Sequence, residues 1–343
     1  MVERKFLWRY DQQQMLAILR NFPEQCRQAC SLQIPENIML FFDKVCLVGM
    51  GGSAISLEVL KTIGEEFSDR PILVHRNYGL PSWVDQNWLV ACCSYSGNTE
   101  EVVSAYQEAR KRKCLLVVIS SGGKLTSLAT RDKVMNIKIP EGLPPRCAFG
   151  FLFFPLLRLF RKSGVLADSP SLNNLLQFIS TSVKQYLPEK PNNPAQKLAW
   201  QLYGHVPVLY SDTEHFPAVL RWKQQLAENS KVFSTVGVLP EMNHNEIVSW
   251  RFPRWFVKKS LVLFFTGKPL NDRIEKRVQI TFRIIHSRKK DILRIKVPGS
   301  SLLERLLRAI ILGDWVSFYL ALLNRVDPTE IKEIVTLKNF LSK

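Results

Sequence analysis

The sequence predicts an α/β protein of two doubly wound parallel-sheet domains behind an N-terminal helical arm. Apolar, β-branched runs alternate with segments whose apolar residues recur at helical spacing, and this alternation occurs twice. Glycine and hydroxyl residues gather where the early runs give way to helices, the edge at which open parallel sheets bind ligands. A length of 343 residues with 46% hydrophobic content is enough for about two cores.

Phe6 to Cys30 reads as one or two amphipathic helices, the leading arm, broken near Asn21-Phe22-Pro23. Strands follow at Lys44 to Gly49, Pro71 to Arg76, Trp88 to Cys93, Cys114 to Ser120 and Met135 to Ile139. Between them stand helices at Ser53 to Glu65, Val102 to Arg112 and Leu125 to Arg131. Strands apolar on both faces with helical crossovers imply a parallel sheet covered on both sides. Pro140 to Arg146 is a stiff connector ending on a cation, and the apolar stretch after it, Ala148 to Phe160, belongs in a core or a subunit interface. A polar helix with Pro-Asn punctuation between Gly164 and Asn193 marks the passage to the second domain, giving domains 1–163 and 164–343. The rhythm restarts with strands at Pro207 to Tyr210, Val232 to Gly237, Ser260 to Phe265 and Ile292 to Val297. Its helices are Ala218 to Glu228, Asp272 to Ser287 and Leu302 to Leu323. In the tail, Asp327 as N-cap, Pro328 at the first helical position and Glu330 at the third predict a capped helix.

No apolar run reaches the roughly 18 to 20 residues of a membrane span. Met1-Val2-Glu3-Arg4-Lys5 opens no continuous apolar region of the signal-peptide kind, so a cytoplasmic protein without a membrane partner is expected. The seven cysteines all precede Ala148 and mostly fall in strands, the pattern of small buried hydrophobes. Cys26 and Cys30 share a helical face, but no nearby ligand completes a metal set, and none is expected. The net charge is +17, and Arg251 to Lys296 holds fourteen Lys and Arg against three acids. Without a nucleic-acid motif beside it, this belt reads as a solvated surface that attracts anionic metabolites.

Cys92-Cys93-Ser94-Tyr95-Ser96-Gly97-Asn98-Thr99-Glu100-Glu101 is a strand-to-helix turn with three hydroxyls. Backbone donors and the helix dipole suit a phosphate there, and an ordinary helix cap is the other reading. Gly49-Met50-Gly51-Gly52-Ser53-Ala54 fits the dinucleotide pattern G-x-G-x-x-A, and Arg76 would then favour NADP. Two anion turns on one sheet better suit a sugar phosphate. Arg146, after two prolines, is a rigidly presented cation for a phosphate or enediolate oxygen. Glu228 ends a helix whose dipole it opposes, and His244 lies in the polar cluster Asn243-His244-Asn245-Glu246. Lys338 by default faces water.

These residues resemble the bifunctional phosphoglucose/phosphomannose isomerases, built from two flavodoxin-like sugar isomerase (SIS) domains. The resemblance is carried by Gly49 to Ser53, Ser94 to Glu100, Pro145-Arg146, Trp222 through Ser230, Glu241 to Val248 and Gly313 to Tyr319, in the family's order. It implies that Gly51, Gly52 and Ser53 lie against the sugar while Ser94, Ser96 and Thr99 hold its phosphate. It further implies Arg146 stabilising the enediolate, Glu228 as the base between C1 and C2, and His244 opening the ring from the neighbouring subunit of a homodimer. Lys338 matches a C-terminal lysine near the ring oxygen, and Thr329 a threonine that accommodates the mannose epimer. Just after Ser53 the chain departs from the pattern: Ala54-Ile55-Ser56-Leu57 replaces glycine and small residues, and a methyl at 54 narrows the sugar pocket. The implied reaction is reversible isomerisation of glucose 6-phosphate and mannose 6-phosphate to fructose 6-phosphate, with no cofactor and no nucleic acid. A non-catalytic sugar-phosphate sensor and an NADP-dependent oxidoreductase are the rival readings.

Overall fold

A computed structural model describes residues 9–34, 42–166, 171–268, 271–289 and 291–341. The chain divides into two compact units, one of Asn21–Phe178 and one joining Ile179–Lys343 to the segment that ends at Arg20. The sequence places the change of domain earlier, at 163/164, and assigns the whole leading arm to the first half. The arm is two short helices, α1 (Met15–Arg20) and α2 (Phe22–Ser31), separated where Pro23 enters the first turn of α2. Residues 6–8 of the expected arm, Phe6 to Cys30, lie outside the described residues.

In the Asn21–Phe178 unit follow β1 (Lys44–Gly49), α3 (Gly51–Phe67), β2 (Ile72–His75), β3 (Trp88–Cys93), α4 (Glu100–Lys111), β4 (Leu115–Ser120), α5 (Gly123–Arg131) and β5 (Met135–Lys138). A one-turn 3-10 helix, Pro145–Cys147, leads into α6 (Phe149–Lys162). All strand pairs are parallel, in the order β2-β1-β3-β4-β5, with Val48 beside Cys92 and Val90 beside Leu116. Every residue of β3 is buried because it is central and covered on both faces. This is the flavodoxin-like order, and its topological switch point lies between β1 and β3. From Ala148 to Phe160 only Arg158 escapes full burial, and Phe149 stacks on Phe153 at 5.3 Å.

Helix α7 (Leu172–Lys184) spans the division between the units. Beyond it come α8 (Pro194–Leu202), β6 (Val206–Asp212), α9 (Phe216–Glu228), β7 (Thr235–Leu239), α10 (Arg254–Lys259), β8 (Ser260–Thr266), α11 (Asp272–Arg288), β9 (Ile292–Lys296), α12 (Leu302–Leu323) and α13 (Lys332–Leu341). The second sheet is parallel too, ordered β7-β6-β8-β9, the same topology one strand shorter. Helix α12 corrects the composition reading: by length and apolarity it could cross a membrane, although most of it is buried inside its unit. Four charged residues, Glu304, Arg305, Arg308 and Asp314, interrupt the apolar run, and of these Arg305 and Asp314 are buried.

The tail differs as well. Asp327 does accept an N–H, that of Thr329 at 2.7 Å, but the helix begins only at Lys332. Glu330 pairs with Lys332 at 2.7 Å instead of reaching back to close a capping box.

Candidate active site

The carboxyl edge of the first sheet gathers four segments, those after β1, β3, β4 and β5. After β3, Ser94 Oγ and Thr99 Oγ1 share a hydrogen bond of 2.8 Å, and Gly97 N–H donates to Ser94 Oγ at 3.1 Å. Thr99 occupies the N-cap position of α4, yet its hydroxyl makes no bond to the helix backbone. The ordinary side-chain-cap reading therefore does not describe this turn, whose helix carries Glu100 and Glu101 in its first turn. Ser96 Oγ accepts the N–H of Asn98 at 3.3 Å.

The turn is interlocked with the next one. Asn98 Oδ1 accepts the N–H of Lys124 at 2.9 Å, Gly97 O that of Leu125 at 2.8 Å, and Tyr95 O that of Ser121 at 2.9 Å. Gly97 has φ +68, and a Cβ there would stand 1.8 Å from Gly122 O, so no other residue fits.

After β1, Gly51 and Gly52 open α3, which also lacks a side-chain cap, and Ser53 is buried in its first turn. A Cβ on Gly52 would come within 2.8 Å of Arg146 Cα. The glycine thus lets the connector after β5 descend onto the first turn and sets Arg146 beside it. Arg146 is buried. Ala54, Ile55 and Leu57 are fully buried, so the departure after Ser53 belongs to the packing of α3. Arg76 is engaged by Glu58 at 2.9 Å. The strand order is not the dinucleotide order either, which removes the structural support for an NADP site.

In the second unit Glu228 is the last residue of α9, half-buried, on a cleft of ≈ 360 Å³ shared with Lys231, Phe233, Ile331 and Ile334. Its placement rests on a buried polar lattice between α9 and α12. Asp314 takes Arg221 through two bonds, 2.9 and 2.8 Å, and Gln225 Nε2 at 2.8 Å. Trp222 Nε1 donates to Ala309 O, Asn229 Nδ2 to Ser317 Oγ, and Ser230 Oγ to Ser317 O. Two segments singled out in the sequence, Trp222 through Ser230 and Gly313 to Tyr319, are therefore each other's partners. Lys231 Nζ donates to the Glu228 carbonyl at 2.7 Å and to that of Asp327 at 2.8 Å, placing a cation at the helix end the carboxylate opposes.

His244 is exposed in a 3-10 turn, Glu241–His244, after β7. Nearby, Glu246 accepts the Tyr210 hydroxyl, and Asn243 Nδ2 donates to Thr281 Oγ1 at 2.7 Å. Thr329 is buried, while Lys338 is exposed on α13, which has no buried residue. Each unit thus assembles its own candidates: Gly51, Gly52, Ser53, Ser94, Ser96, Thr99 and Arg146 in the first, and Glu228, His244, Thr329 and Lys338 in the second. Sequence reasoning missed Tyr95, Asn98 and Gln25 in the first and Arg221, Gln225 and Asp314 in the second. Tyr95, Asn98, Gln225 and Asp314 stood inside recognised motifs without a role of their own, whereas Gln25 and Arg221 carried no local signal.

A doubly wound unit with an anion-suited switch point, joined to a second unit of the same topology, defines a class of two-domain α/β proteins. Residues 191–341 match the family model described as bacterial phospho-glucose isomerase C-terminal SIS domain. The bifunctional phosphoglucose/phosphomannose isomerase of Caldicellulosiruptor bescii is 36% identical over 96% of this chain and 99% of its own length. That of Aquifex aeolicus is 35% identical over 87% and 90%. The C-terminal domain of glucosamine-fructose-6-phosphate aminotransferase from Francisella tularensis has the same fold, with TM-score 0.74 and 13% identity over 92% of this chain and 98% of that one. The chain belongs to the bifunctional phosphoglucose/phosphomannose isomerase family and is an isomerase.

Proposed function

We propose that the protein interconverts glucose 6-phosphate and mannose 6-phosphate with fructose 6-phosphate through an enediolate, without a cofactor. The observation that carries the reading is the convergence at the first sheet's carboxyl edge. A hydroxyl turn with an uncapped helix start lies on the same edge as a glycine turn onto which the Arg146 backbone descends. In this reading Ser94, Ser96 and Thr99 take the phosphate, and Gly51, Gly52 and Ser53 line the sugar. Arg146 holds the enediolate oxygen, and Glu228 moves the proton between C1 and C2. Lys338 stands near the ring oxygen, with Thr329 on the mannose side. A sugar phosphate is a charged metabolite held inside cells, so the cytoplasm is the proposed location.

His244 opens the ring, and we take it to act from a second copy of the chain. Topology supports this: Glu228 ends the helix that leads to the amino end of β7, whereas His244 follows that strand's carboxyl end. The five residues of β7 hold the two ends about 13 Å apart. One substrate then needs Glu228 from one protomer and His244 from its partner.

The test is a coupled assay for fructose 6-phosphate formed from each aldose phosphate, with EDTA present and no cofactor in the enzyme step. Turnover of both supports the reading; turnover of neither, with a sugar phosphate still raising Tm, transfers it to a binding protein.

A further inference from the structure

We infer that Tyr95 and Gln25 are positioning residues for Arg146, a role that rests on the reading of Arg146 given above. The segment carrying Arg146 is fastened on both sides by buried side chains. Ahead of it, the Tyr95 hydroxyl accepts the N–H of Leu143 at 2.9 Å. Behind it, the Gln25 amide bridges two backbone groups, donating to Cys147 O at 2.9 Å and accepting from Gly150 N–H at 2.8 Å. Tyr95 and Gln25 are 5% and 4% exposed; both Gln25 bonds are buried and the Tyr95 bond is partly so.

Between these fastenings the backbone has little freedom. Pro144 and Pro145 fix their own φ angles, and Cys147 N–H closes a turn on Pro144 O at 2.8 Å. A displacement at Leu143 or Cys147 is therefore passed to Arg146 and not absorbed before it.

Tyr95 also belongs to the hydroxyl turn. Its carbonyl accepts Ser121 N–H at 2.9 Å and Ser121 Oγ at 2.7 Å, and its neighbours Ser94 and Ser96 are the proposed phosphate residues. One side chain thus ties the phosphate turn to the connector that carries the cation, which sets the spacing between the two. Gln25 ties the same connector to the leading helix α2, giving that helix a part in the site.

The geometry assigns this effect to turnover more than to binding. Tyr95→Phe keeps the ring and removes only the bond to Leu143, so kcat is expected to fall about 10- to 100-fold, with KM within about threefold of the parent. Gln25→Glu keeps an acceptor for Gly150 and loses the donor to Cys147, and a fall in kcat of the same kind is expected. The decisive readout is a double-mutant cycle with Arg146→Ala, using Tm to verify that each variant is folded. If Tyr95 acts through Arg146, adding Tyr95→Phe to Arg146→Ala changes kcat by less than about twofold. Losses that multiply, or a Tyr95→Phe enzyme with the parent's kcat, overturn the positioning role alone. An Arg146→Ala enzyme with the parent's kcat overturns the reading of Arg146 itself.

Discussion

The two units share one topology but differ at the switch point. In the first, the space between the carboxyl ends of β1 and β3 is bordered by glycines and short hydroxyls, and the helices that start there have no side-chain caps. In the second, the corresponding place between β6 and β8 is filled. Asp212 Oδ1 accepts the His215 backbone N–H at 2.8 Å and lies 2.7 Å from its Nδ1, with both side chains buried. The imidazole Nε2 faces Gly267, where a Cβ would stand 2.5 Å away, and Arg305 reaches Glu214 at 3.8 Å. A resident carboxylate thus sits just ahead of α9 and takes the N–H of its N-cap residue His215, although α9, like α3 and α4, has no side-chain cap bond. The second unit's candidate base sits at the other end of that same helix. On the proposed reading, the first unit would bind the phosphate at a helix start while the second offers its base at a helix end.

The sharpest way to break this comparison is Glu228→Gln. Turnover is expected to fall about 10²- to 10⁴-fold while affinity for a sugar-phosphate ligand, read by calorimetry, stays within a few-fold. A parallel loss of affinity would place binding in the second unit as well.

Next in size is Arg221→Ala, which strands Asp314 in the α9–α12 lattice. Side-chain exposures of 3% and 8% mark the pair as buried, so urea unfolding should report a loss of about 3–5 kcal/mol. Gly97→Ala acts on the other unit: its methyl meets Gly122 O and its φ is left-handed. An increase in ligand Kd of about tenfold or more is expected, together with a lower Tm.

The smallest effect belongs to acid stability of the first unit. Arg131 foremost, then the Tyr106 hydroxyl, holds the Asp132 carboxyl down at about 2, against an ordinary 3.8. A depressed pKa contributes stability that is fully present above pH 3.8 and is lost as the pH falls toward 2. Asp132→Asn should flatten that acid limb in urea midpoints measured from pH 5 down to about 2, and an unchanged limb would remove Asp132 from it.

The strand-helix alternation and the hydroxyl turn were legible because their determinants are local. Ser94, Gly97 and Thr99 lie within one turn, and periodicity marks the strands on either side. The lattice behind Glu228 was not legible, since Arg221 and Asp314 are 93 residues apart and nothing local pairs them. Gln25 and Cys147 are separated by 122 residues, and nothing near Gln25 signals a buried bridge. The late start of α13 was missed for a local reason: Asp327 satisfies the Thr329 N–H in a turn, which resembles a cap without starting a helix. The occupied second switch point was equally hidden, because Asp212 and His215 resemble loop residues until Gly267 closes on them.

The most direct measurement is complementation between two inactive variants, Glu228→Gln and His244→Ala, mixed and allowed to exchange subunits. If base and ring-opening group come from different protomers, a mixed dimer holds one intact site. Activity should then recover to about one quarter of the parent's at equal amounts. A mixture as inactive as its components, with exchange verified by mass-labelled subunits, would contradict the assignment of Glu228 and His244 to different protomers.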